Sequence, residues 1–152
     1  GYAGGPADLI QAMIKLQSQT TSCACSLSQA AAVAALNGSQ DIVGERRAVM
    51  AARRGRLIER LSGIRGLGFT APRGAMYFFC DCRELLGLRT PAGAIVQSDA
   101  DFVRYLLDEF KLVVIQGSAY GLPGYFRISF ATSLQNLDEG CDRLSAACAA
   151  LH

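Results

Sequence analysis

Apolar residues recur with two different periods along this chain, and the switches between them mark out its elements. Near the start, Leu9, Ile10, Met13 and Leu16 follow helical spacing, because residues three and four apart share one face of a helix. Pro6 stands just ahead, where a first turn tolerates a missing N–H. Lys15 falls off the stripe, on a polar face. Thr20–Ser26 is a polar break. The Ala-rich run Leu27–Asn37 predicts a second helix, stopped by Gly38 as its C′ residue. Ser39 then caps a long helix reaching about Ser62 and ended by Gly63. Its apolar stripe is Ile42/Val43, Val49/Met50, Leu57/Ile58 and Leu61.

The second half brings in strands. Leu67–Thr70 and Met76–Asp81 predict two, joined through a Pro72-Arg73-Gly74 turn. Arg83–Leu88 predicts a short helical turn, and Leu88–Gln97, with Pro91 and Gly93, a loop. Ser98 starts the next helix with Asp101 at the capping-box position; Phe102, Tyr105, Leu106 and Phe110 form its apolar face. Leu112–Ile115 predicts a third strand. Tyr125–Ala131 alternates: Phe126, Ile128 and Phe130 on one side, Tyr125, Arg127 and Ser129 on the other. Ser133 caps a last helix with the stripe Leu134, Leu137, Cys141, Leu144, Cys148 and Leu151. A small, mostly antiparallel sheet with helices on one side is an α+β two-layer sandwich.

Composition narrows the function classes. The 152 residues suffice for a real core, and no run of about 18 apolar residues suggests a membrane span. A net charge of +2 argues for neither nucleic acid nor an acidic partner. Arg46, Arg53 and Arg60 stand seven apart on the long helix, beside Arg47, Arg54 and Arg56. No aromatic residue interleaves with them, and Asp41, Glu45 and Glu59 dilute them, so they read as a solvated helix face. The six Cys include two C-x-C pairs, Cys23/Cys25 and Cys80/Cys82. That spacing is tighter than a zinc site favours, and reduced thiols are the reading, with no metal expected. The single His is His152, a poor position for a general base.

One stretch carries candidate chemistry: Gly117 to Ser133, GSAYGLPGYFRISFATS. A glycine-rich turn runs into the alternating strand, which fixes one guanidinium, Arg127, beside the turn. The planar fork of Arg suits a carboxylate gripped bidentately. Gly117, Gly121 and Gly124 fit no phosphate-cradling motif and read as turn glycines. The only lysines are Lys15 and Lys111, and neither position suggests the buried, depressed amine that Schiff-base chemistry requires.

Gly117-Ser-Ala-Tyr-Gly followed by Arg127-Ile-Ser-Phe-Ala resembles the carboxy-terminal signature of fold type I aminotransferases that use pyridoxal 5'-phosphate, nearest to their aspartate aminotransferase branch. Gly1–Pro6, Ile14–Ser22, Ala30–Gly38 and Pro72–Phe78 match the same family in the same order. The resemblance implies a carboxy-terminal fragment: 1–38 a remnant of the large cofactor-binding domain, 39–62 a linking helix, and 63–152 the small domain. It implies Arg127 as the clamp on the substrate α-carboxylate, with Tyr77 and Tyr120 as further substrate-pocket candidates. Cys23-Ala24 stands after Ser22 where family members often carry Asn-Pro or Asn-Ala. The Schiff-base lysine and a phosphate-binding arginine belong to the family's segment ahead of Gly1. The fragment is therefore expected to bind no cofactor and to be inactive alone. For the parent the resemblance implies a cytoplasmic homodimer moving an amino group from an L-amino acid to a 2-oxo acid, without nucleic acid or membrane. Two other readings share the signature: the aminotransferase-like effector domain of a transcription regulator, and a lyase of the same fold.

Overall fold

A computed structural model describes residues 2–152, which divide into two compact units, one ending at Gly44 and the other comprising Glu45–His152.

The first unit holds two helices, α1 (Ala7–Thr20) and α2 (Ser26–Asn37), and the start of α3 (Asp41–Ser62). Neither α1 nor α2 has a buried residue. The stripe residues Leu9, Met13 and Leu16 are all exposed. Gly38 ends α2 differently from the left-handed C′ residue the sequence suggests. Its φ is −81°, extended, and its amide donates to the Ala34 carbonyl at 2.9 Å. A Cβ there would come within 2.9 Å of that same oxygen. Close approach, rather than handedness, calls for glycine. Ser39 accepts a hydrogen bond from the Asp41 amide and so opens α3.

The second unit is a four-stranded antiparallel sheet, order β1-β2-β4-β3, with helices against one face. The strands are β1 (Gly68–Phe69), β2 (Tyr77–Asp81), β3 (Ile115–Gln116) and β4 (Tyr125–Ser129). The helices are the C-terminal part of α3, α4 (Asp99–Phe110) and α5 (Leu134–Ala150). Phe78 and Cys80 of β2 pair with Ile128 and Phe126 of β4, so all four share the inner face. They meet Leu57 and Leu61 of α3, Phe102 and Leu106 of α4, and Leu144 of α5 in one core. Phe78 packs edge-on against Phe130 at 5.6 Å, and Phe102 against Phe126 at 5.4 Å. Ser98 caps α4 and Ser133 caps α5 through the amides three residues on, as the sequence indicates.

Two further expectations change. The third strand is Ile115–Gln116, later than Leu112–Ile115. Lys111 ends α4 in the left-handed region (φ 54°), and the Leu112 amide still bonds back to Leu106. Leu112 therefore belongs to the helix cap, and the sheet ladder begins only at Ile115, opposite Arg127. The arginine ridge is not uniformly solvated either. Arg56 pairs with Asp138 at 2.8 Å, Arg60 pairs with Asp142, and Arg54 donates to the Pro72 carbonyl. This face of α3 is partly an ion-pair seam along α5, because the acids of α5 lie opposite it.

Candidate functional site

The outer face of the sheet carries Tyr77 and Phe79 from β2, Ile115 from β3 and Arg127 from β4. Register places Phe79 and Ile115 on either side of Arg127. The Arg127 guanidinium carbon lies 4.2 Å from the Tyr77 ring centroid and 4.6 Å from that of Tyr120. Both are cation–π distances. Tyr120 arrives from a 3₁₀ turn, Gly117–Tyr120, and stands edge-on to Phe79 at 5.8 Å. The structure thus brings together all three residues singled out in the sequence, Arg127, Tyr77 and Tyr120, on the side of the sheet away from its helices.

Arg127 is half-buried. Among the described residues it has no carboxylate within ion-pair distance, whereas Arg56, Arg60, Arg83 and Arg143 each have at least one. Its charge is held by rings, which leave the N–H donors of the fork uncommitted. A planar cation with open donors on a rigid strand is equipped for a carboxylate.

The turn bearing Tyr120 is tightly determined. A Cβ on Gly117 would lie 2.3 Å from the Leu122 carbonyl oxygen and 2.8 Å from that of Tyr125, both backbone atoms. Gly121 and Gly124 sit at φ 75° and 80°, which glycine adopts freely. Asp99, in the first turn of α4 and only 3 % exposed, accepts the Ser118 amide at 2.7 Å. Burial alone would raise this carboxyl. Hydrogen bonds from Ser118, and from the amides of Gly124 and Asp99 itself, outweigh it and hold the group below its ordinary value.

Asp99 and Phe79 are the members of this neighbourhood that sequence reasoning missed. The signal for Asp99 was a surplus acid: Ser98 and Asp101 already complete the cap of α4. Phe79 is one of three consecutive aromatics in β2, and nothing in the sequence sets it apart from Phe78.

Among the described residues no set suits a Schiff base or metal. Lys15 is exposed on α1, and Lys111 is exposed with its Nζ donating to the Asp108 carbonyl at 2.6 Å. Ser22 and Cys23 are exposed in the turn before α2, with Ser22 at φ 67°. Cys80 and Cys82 are buried, and burial pushes each thiol up to about 12. Among the described residues no three His, Cys, Asp or Glu side chains are grouped as metal ligands.

The fold and this signature strand are those of a known enzyme class. Residues 1–144 match the model of the aminotransferase class I and II family, and the chain belongs to that family. It is 49 % identical over 148 residues to the aspartate aminotransferase of Rhizobium meliloti (strain 1021), covering 97 % of this chain and 36 % of that protein. It is 43 % identical over 150 residues to a probable aspartate/prephenate aminotransferase of Rhizobium leguminosarum bv. phaseoli, covering 99 % of this chain and 38 % of the relative. The crystal structure of the Rhizobium meliloti aspartate aminotransferase superposes with a TM-score of 0.94 at 48 % identity, covering all of this chain and 38 % of that one. The chain thus spans little more than a third of the relatives it matches.

Proposed function

We propose that this chain is the carboxy-terminal part of an aminotransferase that uses pyridoxal 5'-phosphate, and that Arg127 binds the α-carboxylate of its substrate. The observation that carries the reading is the half-buried guanidinium held by Tyr77 and Tyr120 with, among the described residues, no carboxylate of its own. The fork supplies two parallel N–H donors to one carboxylate, and the rings limit its rotation, so the substrate's Cα is presented in one orientation. Fixing that orientation is a proximity effect, which lowers the barrier without any bond being made by Arg127.

Among the described residues neither lysine is buried or set among phosphate-binding groups. The whole protein would hold the cofactor through other segments. Residues 1–38 would then belong to its large domain, 39–62 to a linking helix and 63–152 to its small domain. The names of the relatives support L-aspartate as amino donor and a 2-oxo acid as acceptor. They also favour an aminotransferase over the regulator and lyase readings. The expected setting is a cytoplasmic homodimer free of nucleic acid and membrane. Among the described residues no helix is long and apolar enough to cross a bilayer.

The test is Arg127→Ala in the full-length enzyme. A charge-assisted pair in a closed site is worth about 2–5 kcal/mol, so kcat/KM for L-aspartate should fall on the order of 10²-fold or more. Cofactor occupancy, read by absorbance, should stay intact. A kcat/KM within a few-fold of wild type at full occupancy would place the carboxylate clamp elsewhere.

A further inference from the structure

Asp99 is the only buried acid among the described residues, and no cation pairs with it. Helix α4 does not need it as a cap, since the Ser98 hydroxyl already takes the Asp101 amide and Asp101 takes the Gln97 amide. Burying a carboxylate is costly unless its hydrogen bonds are satisfied. Besides the amides of Gly124 and of Asp99 itself, this carboxylate takes the Ser118 amide, nineteen residues on, at 2.7 Å. Ser118 lies in the turn that delivers Tyr120 to Arg127. The turn closes on itself through Gly121 N–H to Ser118 O and Leu122 N–H to Gly117 O, so a shift at Ser118 carries the whole turn with it.

We propose that Asp99 is a positioning residue for the carboxylate clamp: it locks the Gly117–Tyr120 turn, so that the Tyr120 ring stays against Arg127 and keeps the guanidinium fork aimed. This rests on the carboxylate-binding reading of Arg127. Asp99 acts through Tyr120 and touches neither the guanidinium nor the ligand. Phe79 steadies the same ring from the sheet side. Without Asp99 the ring loses its tether on the turn side only, which predicts loosened binding rather than a lost site.

The test is a double-mutant cycle in the cofactor-loaded full-length enzyme. The probe is succinate, which has carboxylates but no amino group to transfer, and the readout is its dissociation constant by calorimetry. Asp99→Ala and Tyr120→Ala should each weaken succinate about tenfold, the scale of one partly desolvated cation–π contact. If Asp99 works through Tyr120, the double variant should be no weaker than Tyr120→Ala by more than about twofold, because the effects of coupled residues do not add. Asp99→Asn keeps an acceptor oxygen for the Ser118 amide and should stay within about threefold of wild type. Should Asp99→Ala fail to fold, Asp99→Ser carries the same cycle, its shorter side chain falling short of Ser118. Full additivity, or unchanged succinate binding in folded Asp99→Ala or Asp99→Ser, overturns the proposal. Arg127→Ala separates the two levels. If it leaves succinate binding intact, the carboxylate reading itself fails; if it abolishes binding while Asp99→Ala and Asp99→Ser bind normally, only the Asp99 proposal fails.

Discussion

At the scale of single residues, the outer face of the sheet is governed by what each side chain does with its charge. Arg83 spends its fork on Asp81, at 2.6 Å from Nη2, and stacks over Tyr125 at 5.2 Å. Arg127 also has aromatic company but, among the described residues, no acid, and the proposed carboxylate role rests on that difference. Arg127→Lys should therefore lower kcat/KM for L-aspartate in the full-length enzyme while leaving cofactor absorbance unchanged, since an ammonium keeps the charge and loses the planar fork. Gly117 is the other decisive position. Its added Cβ would meet two backbone carbonyls that cannot give way. Gly117→Ala should destabilise by about 1–3 kcal/mol in urea unfolding, the scale of overpacking. Gly74→Ala is the control, with nothing within 4 Å of its added Cβ. It should stay within about 0.5 kcal/mol of wild type.

At the scale of elements, α4 does two jobs with its first turn. Ser98 caps the helix and Asp99 ties the distant turn. Ser98→Ala should cost about 1 kcal/mol by chemical denaturation, the usual value of a lost cap. The acids add a pH dependence. The Arg83 side chain holds the Asp81 carboxyl below its ordinary value, and the Ser118 and Gly124 bonds, against burial, do the same for Asp99. Groups depressed in the folded state contribute stability that is complete above the unfolded carboxylate value and is lost as pH falls through the folded one. Urea midpoints should therefore be flat near neutrality and drop below about pH 4, and Asp99→Asn should shrink the acid-side drop. A drop of undiminished size in Asp99→Asn would assign the acid sensitivity to other carboxylates.

At the scale of the whole molecule, the two units differ in kind. Glu45–His152 has a continuous core, with Phe78, Phe102, Phe126 and Leu106 fully buried. Residues 2–44 contribute no buried side chain. Ordering a backbone without burying apolar surface leaves its entropy cost unmet. Limited proteolysis of the 152-residue chain should therefore cut first before residue 45 and leave a resistant product starting within α3. Thiol chemistry should divide the same way. Cys23 and Cys25 are exposed, and amide hydrogen bonds from Leu27 and Ser28 lower the Cys25 thiol. Cys80, Cys82 and Cys148 are pushed up to about 12, chiefly by burial, and burial raises Cys141 as well. A maleimide should label two thiols promptly under native conditions and the other four only on unfolding.

The sequence by itself determined the order of the elements, the caps of α4 and α5 and the inner face of the sheet. Each of these is a local matter: a hydroxyl before a helix, or a period of two or of 3.6 in apolar residues. It also determined that Arg127 faces away from Phe126 and Ile128, because alternation leaves a strand residue no other choice. Tertiary structure alone decided what surrounds that arginine. Tyr77 and Tyr120 are separated by 43 positions, and only the β2–β4 register and the turn before β4 bring both rings to one guanidinium. The late start of β3 was equally hidden, because Leu112–Ile115 is as apolar as a strand while the Leu112 amide is claimed by the end of α4. So was the seam between α3 and α5, where Arg56 and Arg60 look like solvated charges until the acids of α5 lie opposite them. Asp99 shows the limit most plainly: a surplus acid can be counted in the sequence, but the amide it serves lies across the fold, and hydrogen bonds between distant segments leave no period to read.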